Sequence, residues 1–326
     1  MARPLRHIPR DSSRRRRWVY VAVAVFLLAD IALIAFALNS SRPSTTAEAA
    51  RPAPTFGTQV SGDSAATPES SAALAAASTV AVPPTRFLSA VDDTTAWRAV
   101  TGECPATSAE PELTTDSGST WATTNATDPT EVTAPQSLRA TSESILEFVG
   151  LSGADCAPEF VQTFVSGDTF KSYPEKLDAA WFVDPADRAT VHSPAGDVAA
   201  PCEAVIALAP RDAKSAAVLC ADQAVFTTTA AAETWSSAVT IPGAVNLTAT
   251  ATGYAIAAVG LPACVGVQLI ALPEETLEAT PTGCLLVRAP VETLPGNVAI
   301  SEAADTVWIW AGDTMKRTLD GGIVWQ

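Results

Sequence analysis

Two octapeptides limit what this chain can fold into more than any other feature. Thr114-Thr115-Asp116-Ser117-Gly118-Ser119-Thr120-Trp121 returns near the end as Thr318-Leu319-Asp320-Gly321-Gly322-Ile323-Val324-Trp325. Aligned on tryptophan, both read Thr-x-Asp-x-Gly-x-(Thr/Val)-Trp. The spacing suits a tight turn between two strands. The aspartate accepts hydrogen bonds from turn amides, and the glycine takes a positive φ without a Cβ clash. The outgoing strand then starts at Thr120-Trp121, or at Val324-Trp325, with the indole turned inward.

From Thr85 onward the texture is short, β-rich segments separated by Gly, Pro, Asp and Asn, with no long amphipathic helix. Glu203–Val239 holds four strand-like runs: Ala204–Leu208, Ala216–Cys220, Ala224–Thr228 and Thr234–Val239. Before Trp235 the motif slots hold Thr228, Ala230, Ala232 and Thr234, a worn copy that keeps Thr234-Trp235. Trp235 and Trp325 lie 90 residues apart, which is two units of about 45, the period of four-stranded propeller blades. Val245–Val291 and Val298–Trp325 supply those two units. Earlier units are Phe87–Trp121, Ser144–Tyr173 and a shorter one made of Ala179–Val183 and Thr190–Ser193. The expectation is an all-β propeller of about six four-stranded blades, with five or seven left open, because ring closure removes exposed strand edges. A β-sandwich is the rival fold, and the repeat period argues against it.

The recurring motif resembles the Asp box of the sialidase-like (BNR-type) β-propellers, where it closes the hairpin between the third and fourth strands of a blade. The resemblance implies a structural role for Thr114, Asp116, Gly118, Thr120, Trp121, Thr318, Asp320, Gly322 and Trp325. It also invites an enzymatic reading, in which three arginines hold a substrate carboxylate, a tyrosine–glutamate pair is the nucleophile and an aspartate is the acid/base. This sequence departs from that set. None of Arg86, Arg98, Arg139, Arg188, Arg211, Arg288 and Arg317 lies in an Arg-Ile-Pro-like motif. Only Tyr173 and Tyr254 are candidate nucleophiles, with Glu175 near the first. The fold is therefore carried over and the activity is not.

The first 80 residues are organised differently. Trp18–Leu38 is a 21-residue apolar run broken only by Asp30, long enough as a helix to span a bilayer. Arg14-Arg15-Arg16-Arg17 before it sets the N-terminus in the cytoplasm and everything after Asn39 outside. Ala35-Phe36-Ala37 also fits a signal-peptide cleavage site, but the length of the apolar run favours an uncleaved anchor. Residues 1–17 are then a basic cytoplasmic tail, 18–38 the transmembrane helix, 39–84 a disordered Ala/Ser/Thr/Pro linker and 85–326 the extracytoplasmic domain. Asp30 near mid-membrane either is outweighed by its apolar neighbours or pairs with a partner helix.

Charge and cysteine usage agree with export. Seven arginines precede Trp18 against Asp11 alone, while from Asn39 onward 33 acidic residues face 13 basic ones, a surface that repels nucleic acid. All six cysteines lie in the exported part, an even count that suggests disulfides between sequential neighbours: Cys104 with Cys156, Cys202 with Cys220, and Cys264 with Cys284. Cys264 and Cys284 are symmetric about Pro273-Glu274, as in a cross-strand hairpin link. No CxxC spacing or histidine cluster suggests a metal, and no nucleophile elbow, phosphate loop or HExxH motif is present. His192, with Asp184, Asp187 and Asp197 around it, reads as a turn residue. No catalytic residue, cofactor or metal is expected. The leading functional reading is a non-enzymatic binding or scaffold propeller for an envelope protein or glycan. The alternatives are a degenerate sialidase-like glycoside hydrolase, and an assembly or sensory subunit docking a partner helix through Asp30.

Overall fold

The computed structural model describes residues 81–326; the anchor segment, Asp30 and the linker up to residue 80 lie outside the described residues. The domain is an all-β propeller whose strands follow one another outward in each sheet. Sheet I holds β1 (Arg86–Ala90), β2 (Ala96–Val100), β3 (Glu112–Thr114) and β4 (Ala122–Thr123). In sheet II the inner position is shared by β5 (Val132–Thr133) and β6 (Arg139–Ala140), which both pair with β7 (Leu146–Ser152), followed by β8 (Ala157–Thr163) and β9 (Lys171–Ser172). A two-stranded ribbon of β10 (Thr190–Ser193) and β11 (Gly196–Ala199) comes next. Sheet III has β12 (Val205–Pro210), β13 (Ala216–Cys220), β14 (Ala224–Thr228) and β15 (Val239–Thr240). Sheet IV has β16 (Ala244–Ala249), β17 (Gly253–Val259), β18 (Gly266–Pro273) and β19 (Thr280–Leu286), and sheet V has β20 (Val298–Ala303), β21 (Thr306–Ala311) and β22 (Thr314–Thr318).

Alternating apolar residues on both faces of these strands explain the packing, because each sheet is covered by a neighbour on either side. One face of sheet IV (Leu247, Tyr254, Ile256, Ile270, Leu272) packs with sheet III, and the other (Val245, Ala257, Val267, Leu269) with sheet V. The innermost strands run in parallel: Thr85 N donates to Gly296 O at 2.8 Å, and five residues on Ala90 N donates to Ser301 Oγ at 2.9 Å. We call the mouth where these strands begin the lower one and the mouth where they end the upper one.

Residues 174–204 depart from the expected third blade. A 3-10 turn (Pro174–Ala179) leads into Trp181–Val183, and Phe182 bridges His192 of the ribbon. Trp181 Nε1 donates to Asp212 O beyond the end of β12, whereas Val205 N at its start donates to Arg188 O. This stretch therefore runs against the direction of β12. It fills the space between sheets II and III as a wedge, with Phe182 packed on Val149 and Phe160 of sheet II and Trp181 and Val191 packed on sheet III.

The last two expected strands also differ. Trp235 precedes β15 outside any strand, and Val324-Trp325 is not a strand. Only Gln326 pairs with β22, exchanging both backbone bonds with Arg317. Ring closure uses packing instead of a shared sheet. The Trp308 indole is fully buried beside Leu88, Ala90 and Ala96 and donates to Asp92 O at 2.9 Å, and Arg86 and Arg98 of sheet I both lie over Trp310. Ala81 is already buried in the core of sheets III and IV, so packing begins ahead of Thr85.

The three disulfides join Cys104 to Cys156, Cys202 to Cys220 and Cys264 to Cys284. The first links the β2–β3 loop of sheet I to the β7–β8 turn of sheet II. The third is not a direct cross-strand pair: Cys284 stands opposite Gln268, and Cys264 lies in the turn ahead of β18. The second ties the connection between the ribbon and β12, not a strand, to the end of β13.

Candidate functional site

The two motif copies make the same turn, and threonine is its hub. Thr114 and Thr318 are both buried, and each hydroxyl accepts the amide four residues on, Gly118 N and Gly322 N, at 3.0 Å. Each hydroxyl also donates to the motif aspartate, at 2.8 and 2.7 Å. The carboxylates then accept the outgoing amides: Thr120 N to Asp116 at 2.9 Å, and Ile323 N and Val324 N to Asp320 at 3.0 and 2.9 Å. Residues three and four after the threonine take positive φ, Ser117-Gly118 and Gly321-Gly322.

Two further sheets repeat the backbone without the aspartate. Thr228 accepts Ala232 N at 3.2 Å with Ala231-Ala232 at positive φ, and Thr163 accepts Gly167 N at 3.2 Å with Ser166-Gly167 at positive φ. The copy in sheet II escaped the sequence reading because Val165 stands in the aspartate slot and Phe170 in the tryptophan slot. Thr163-x-x-x-Gly167-x-Thr169-Phe170 was the signal. The motif tryptophans are less buried than expected: Trp121 and Trp325 are half-exposed at the ends of inter-sheet contacts, whereas Trp97 and Trp308 are fully buried. Gly118 abuts Trp308 and Met315 of sheet V, and Gly322 abuts Gly283 of sheet IV, so each turn seals a joint with the preceding sheet.

Asp116 is held well below the usual carboxylate range, at about 2, by the Thr120 hydroxyl first, then the Thr120 amide and the Thr114 hydroxyl. Amides and the Thr318 hydroxyl depress Asp320 in the same direction. A depressed carboxylate contributes stability that is complete above its unfolded pKa, about 3.9, and lost as pH falls through the folded value. The urea midpoint is therefore expected to fall as pH drops from about 4 toward 2, with a shallower fall in Asp116→Asn. An unchanged slope in that variant would assign the acid sensitivity elsewhere.

The innermost strands surround a central cavity of about 730 Å³. Its wall carries Arg86, Arg139, Lys176, Arg188 and Arg211 against Glu147, Asp212 and Glu302. Arg86 donates to Gly312 O, and Arg188 donates to Val205 O at 3.2 Å, both near the lower mouth. Burial pushes both guanidinium pKa values down, opposed by Asp313 and Asp184 respectively. Arg139 pairs with Glu147 at 2.8 Å, Arg211 pairs with Glu274, and the Lys176 ammonium bonds Gln162 Oε1 and lies 4.7 Å from the Tyr173 ring centre. These three belong to the upper half of the channel. Burial raises the pKa of Glu302 at the upper mouth, with Asp305 adding to it.

The structure does not gather the other sequence candidates around this cavity. Tyr254 is 1% exposed and is not part of the wall, and burial, then Glu274, pushes its phenol pKa up. Tyr173 packs beside Phe182 and Leu177 in the wedge, and Glu175 is exposed. His192 is stacked on Phe182, with Asp197 Oδ1 2.6 Å from Nδ1 and Leu177 O 3.2 Å from Nε2. Asp184 and Asp187 accept amides of their own turn. Arg98 pairs with Glu112, Arg317 reaches Asp93 O, and Arg288 is exposed. Among the described residues no cluster of metal-ligating side chains occurs.

No protein-family profile matches the sequence, and no curated protein does. Solved structures similar to the chain include YCF48 bound to D1 peptide (15% identity, 79% of this chain and 87% of that one, TM-score 0.28). A GH74 xyloglucanase from Xanthomonas campestris is similar over 74% of this chain and 37% of its own (12% identity, TM-score 0.29). A Hadza microbial sialidase, Hz136, is similar over 70% and 50% (14% identity, TM-score 0.33).

Proposed function

We infer that the chain is a membrane-anchored, extracytoplasmic binding propeller, a scaffold that takes an envelope partner at its central cavity and does not hydrolyse it. The observation that carries this reading is the disposition of the wall arginines. They are divided between the two mouths, and each already has a protein partner, so no three converge on one carboxylate position. The burial of Tyr254 away from the wall supports the same conclusion, because a nucleophile must reach its substrate. The reading counts five blades, sheets I to V, with the reversed wedge in place of another, and gives the threonine-centred turns an architectural role. Trp18–Leu38 supplies the anchor and Asn39 onward the exported side.

The test is a photo-crosslinking residue at Thr248, on the cavity wall, in the full chain in intact cells. Capture of an envelope component there, absent with the probe at exposed Arg288, is the expected result. Release of a fluorogenic sugar by the purified chain that is lost in Tyr254→Phe would overturn the reading in favour of a glycoside hydrolase.

A further inference from the structure

The distribution of charge over the domain is strongly uneven. Residues 81–326 contain 11 lysines and arginines against 30 aspartates and glutamates. Five of those 11 cations line the central cavity, but only three of the 30 carboxylates do. A channel with low-dielectric walls concentrates the field of the charges in it, so this arrangement sets a positive lumen inside an acidic body. Arg139 and Arg211 are already paired, with Glu147 and Glu274, which leaves Arg86, Lys176 and Arg188 facing Asp212 and Glu302, and burial disfavours the charged form of Glu302. Arg86, Lys176 and Arg188 have uncharged hydrogen-bond partners, two carbonyls and an amide side chain. Asp313 and Asp184 offset the burial of Arg86 and Arg188 only through space, without a hydrogen bond, so a bonded ligand anion still lowers the cost of taking these cations partly out of water.

A second observation points to the same chemistry. Ser89, Ser137 and Ser301 line the cavity, and each hydroxyl oxygen accepts a backbone amide across the wall: Ala140 N at 2.8 Å, Val149 N at 3.0 Å and Ala90 N at 2.9 Å. Among the described residues none of the three hydroxyl hydrogens has an acceptor. A hydroxyl carries one donor beside its lone pairs, so three donors remain for a ligand that brings acceptors.

Resting on the binding reading above, we propose that the central cavity is a binding channel for an extended, carboxylate-bearing peptide segment. The cations are spread over both mouths of a channel whose walls are roughly 20 Å long. A single compact anion satisfies only one end, whereas a chain with spaced carboxylates meets Arg188 near the lower mouth and Lys176 in the upper half together. A peptide fits the wall better than an acidic glycan does. Phe148, Phe160, Trp181 and Phe182 are all buried by their own neighbours, which leaves their ring faces no room to stack on sugars.

The experiment uses the full chain in neutral detergent and the fluorescence anisotropy of a labelled hexaglutamate peptide, with hexaglutamine and a galacturonate oligomer as competitors. Hexaglutamate is expected to bind about tenfold or more tighter than hexaglutamine and to weaken steeply with added salt. Lys176→Gln and Arg188→Gln should each loosen it by about tenfold, as the loss of one charge-assisted bond does, while Arg288→Gln on the exterior leaves it unchanged. Equal binding of the two peptides, an equal loss in Arg288→Gln, or preference for the galacturonate oligomer overturns the proposal. Should a variant fail to fold, protection of the Thr248 crosslinking site by hexaglutamate in the otherwise unaltered chain decides the same question. Capture of a partner at Thr248 with no preference for hexaglutamate removes the peptide inference and leaves the binding reading standing. Hexaglutamate binding without cellular capture does the reverse.

Discussion

Replacing Trp308 with alanine is expected to lower the free energy of unfolding by about 3–5 kcal/mol, the cost of emptying a fully buried indole site. Trp308 belongs to sheet V, yet its neighbours are the Leu88, Ala90 and Ala96 side chains of sheet I, and its N–H reaches Asp92 O. The cavity would therefore open at the joint between the first and last sheets, where no strand is shared. Trp308→Phe keeps most of the apolar area and removes the donor to Asp92, so about 1–3 kcal/mol is expected. Denaturant unfolding followed by circular dichroism measures both. If Trp308→Ala unfolds like the parent, the joint is held elsewhere and the packing account of closure fails.

Removing the Cys104–Cys156 bridge by a double alanine substitution should have an effect of similar size. The bridge closes a loop with a sequence separation of 52. Chain-entropy arguments give about 4 kcal/mol for such a loop, against about 3 for Cys264–Cys284 with its separation of 20. The order of the two losses is the informative quantity. Equal losses, or a larger one at Cys264–Cys284, would mean that native contacts around the bridges, not unfolded-chain entropy, set their contribution. The measurement is the unfolding midpoint of each double variant beside the parent under oxidising conditions.

Much of the architecture was legible because it is local. Asp116 and Asp320 mark their turns in sequence, the runs Ala204–Leu208, Ala216–Cys220 and Ala224–Thr228 fall within two residues of β12–β14, and the units Val245–Val291 and Val298–Trp325 coincide with sheets IV and V. The cysteine pairing was legible from order along the chain, although the hairpin argument for Cys264 and Cys284 misplaced the register by four positions because β18 starts after Cys264. Thr163 is silent in the sequence because no aspartate marks its turn. The structure makes the threonine hydroxyl the common element and the aspartate an addition in two copies out of four. The wedge reads as a short blade in the sequence because strand-like composition carries no direction, and only the contacts of Trp181 and Arg188 with opposite ends of β12 fix it. The cavity was illegible for a related reason: Arg86 and Arg211 are distant in sequence, and nothing in either neighbourhood says that both face one channel.

The joint between sheets I and V also has a kinetic meaning. Apart from the short segment 81–85, which reaches β1 from the core of sheets III and IV past Gly296, this joint brings together residues more than two hundred positions apart. Among the described residues a single backbone-to-backbone hydrogen bond crosses it, Thr85 N to Gly296 O. The amide of Ala90 is held by a serine hydroxyl instead of a ladder partner. Parting the ring there breaks side-chain packing and leaves all five sheets whole, so it belongs to the low-energy local openings of a folded protein. The amide protons of Thr85 and Ala90 should then exchange with solvent well ahead of those inside β13, β17 and β18. An opening there would widen the channel at that one place.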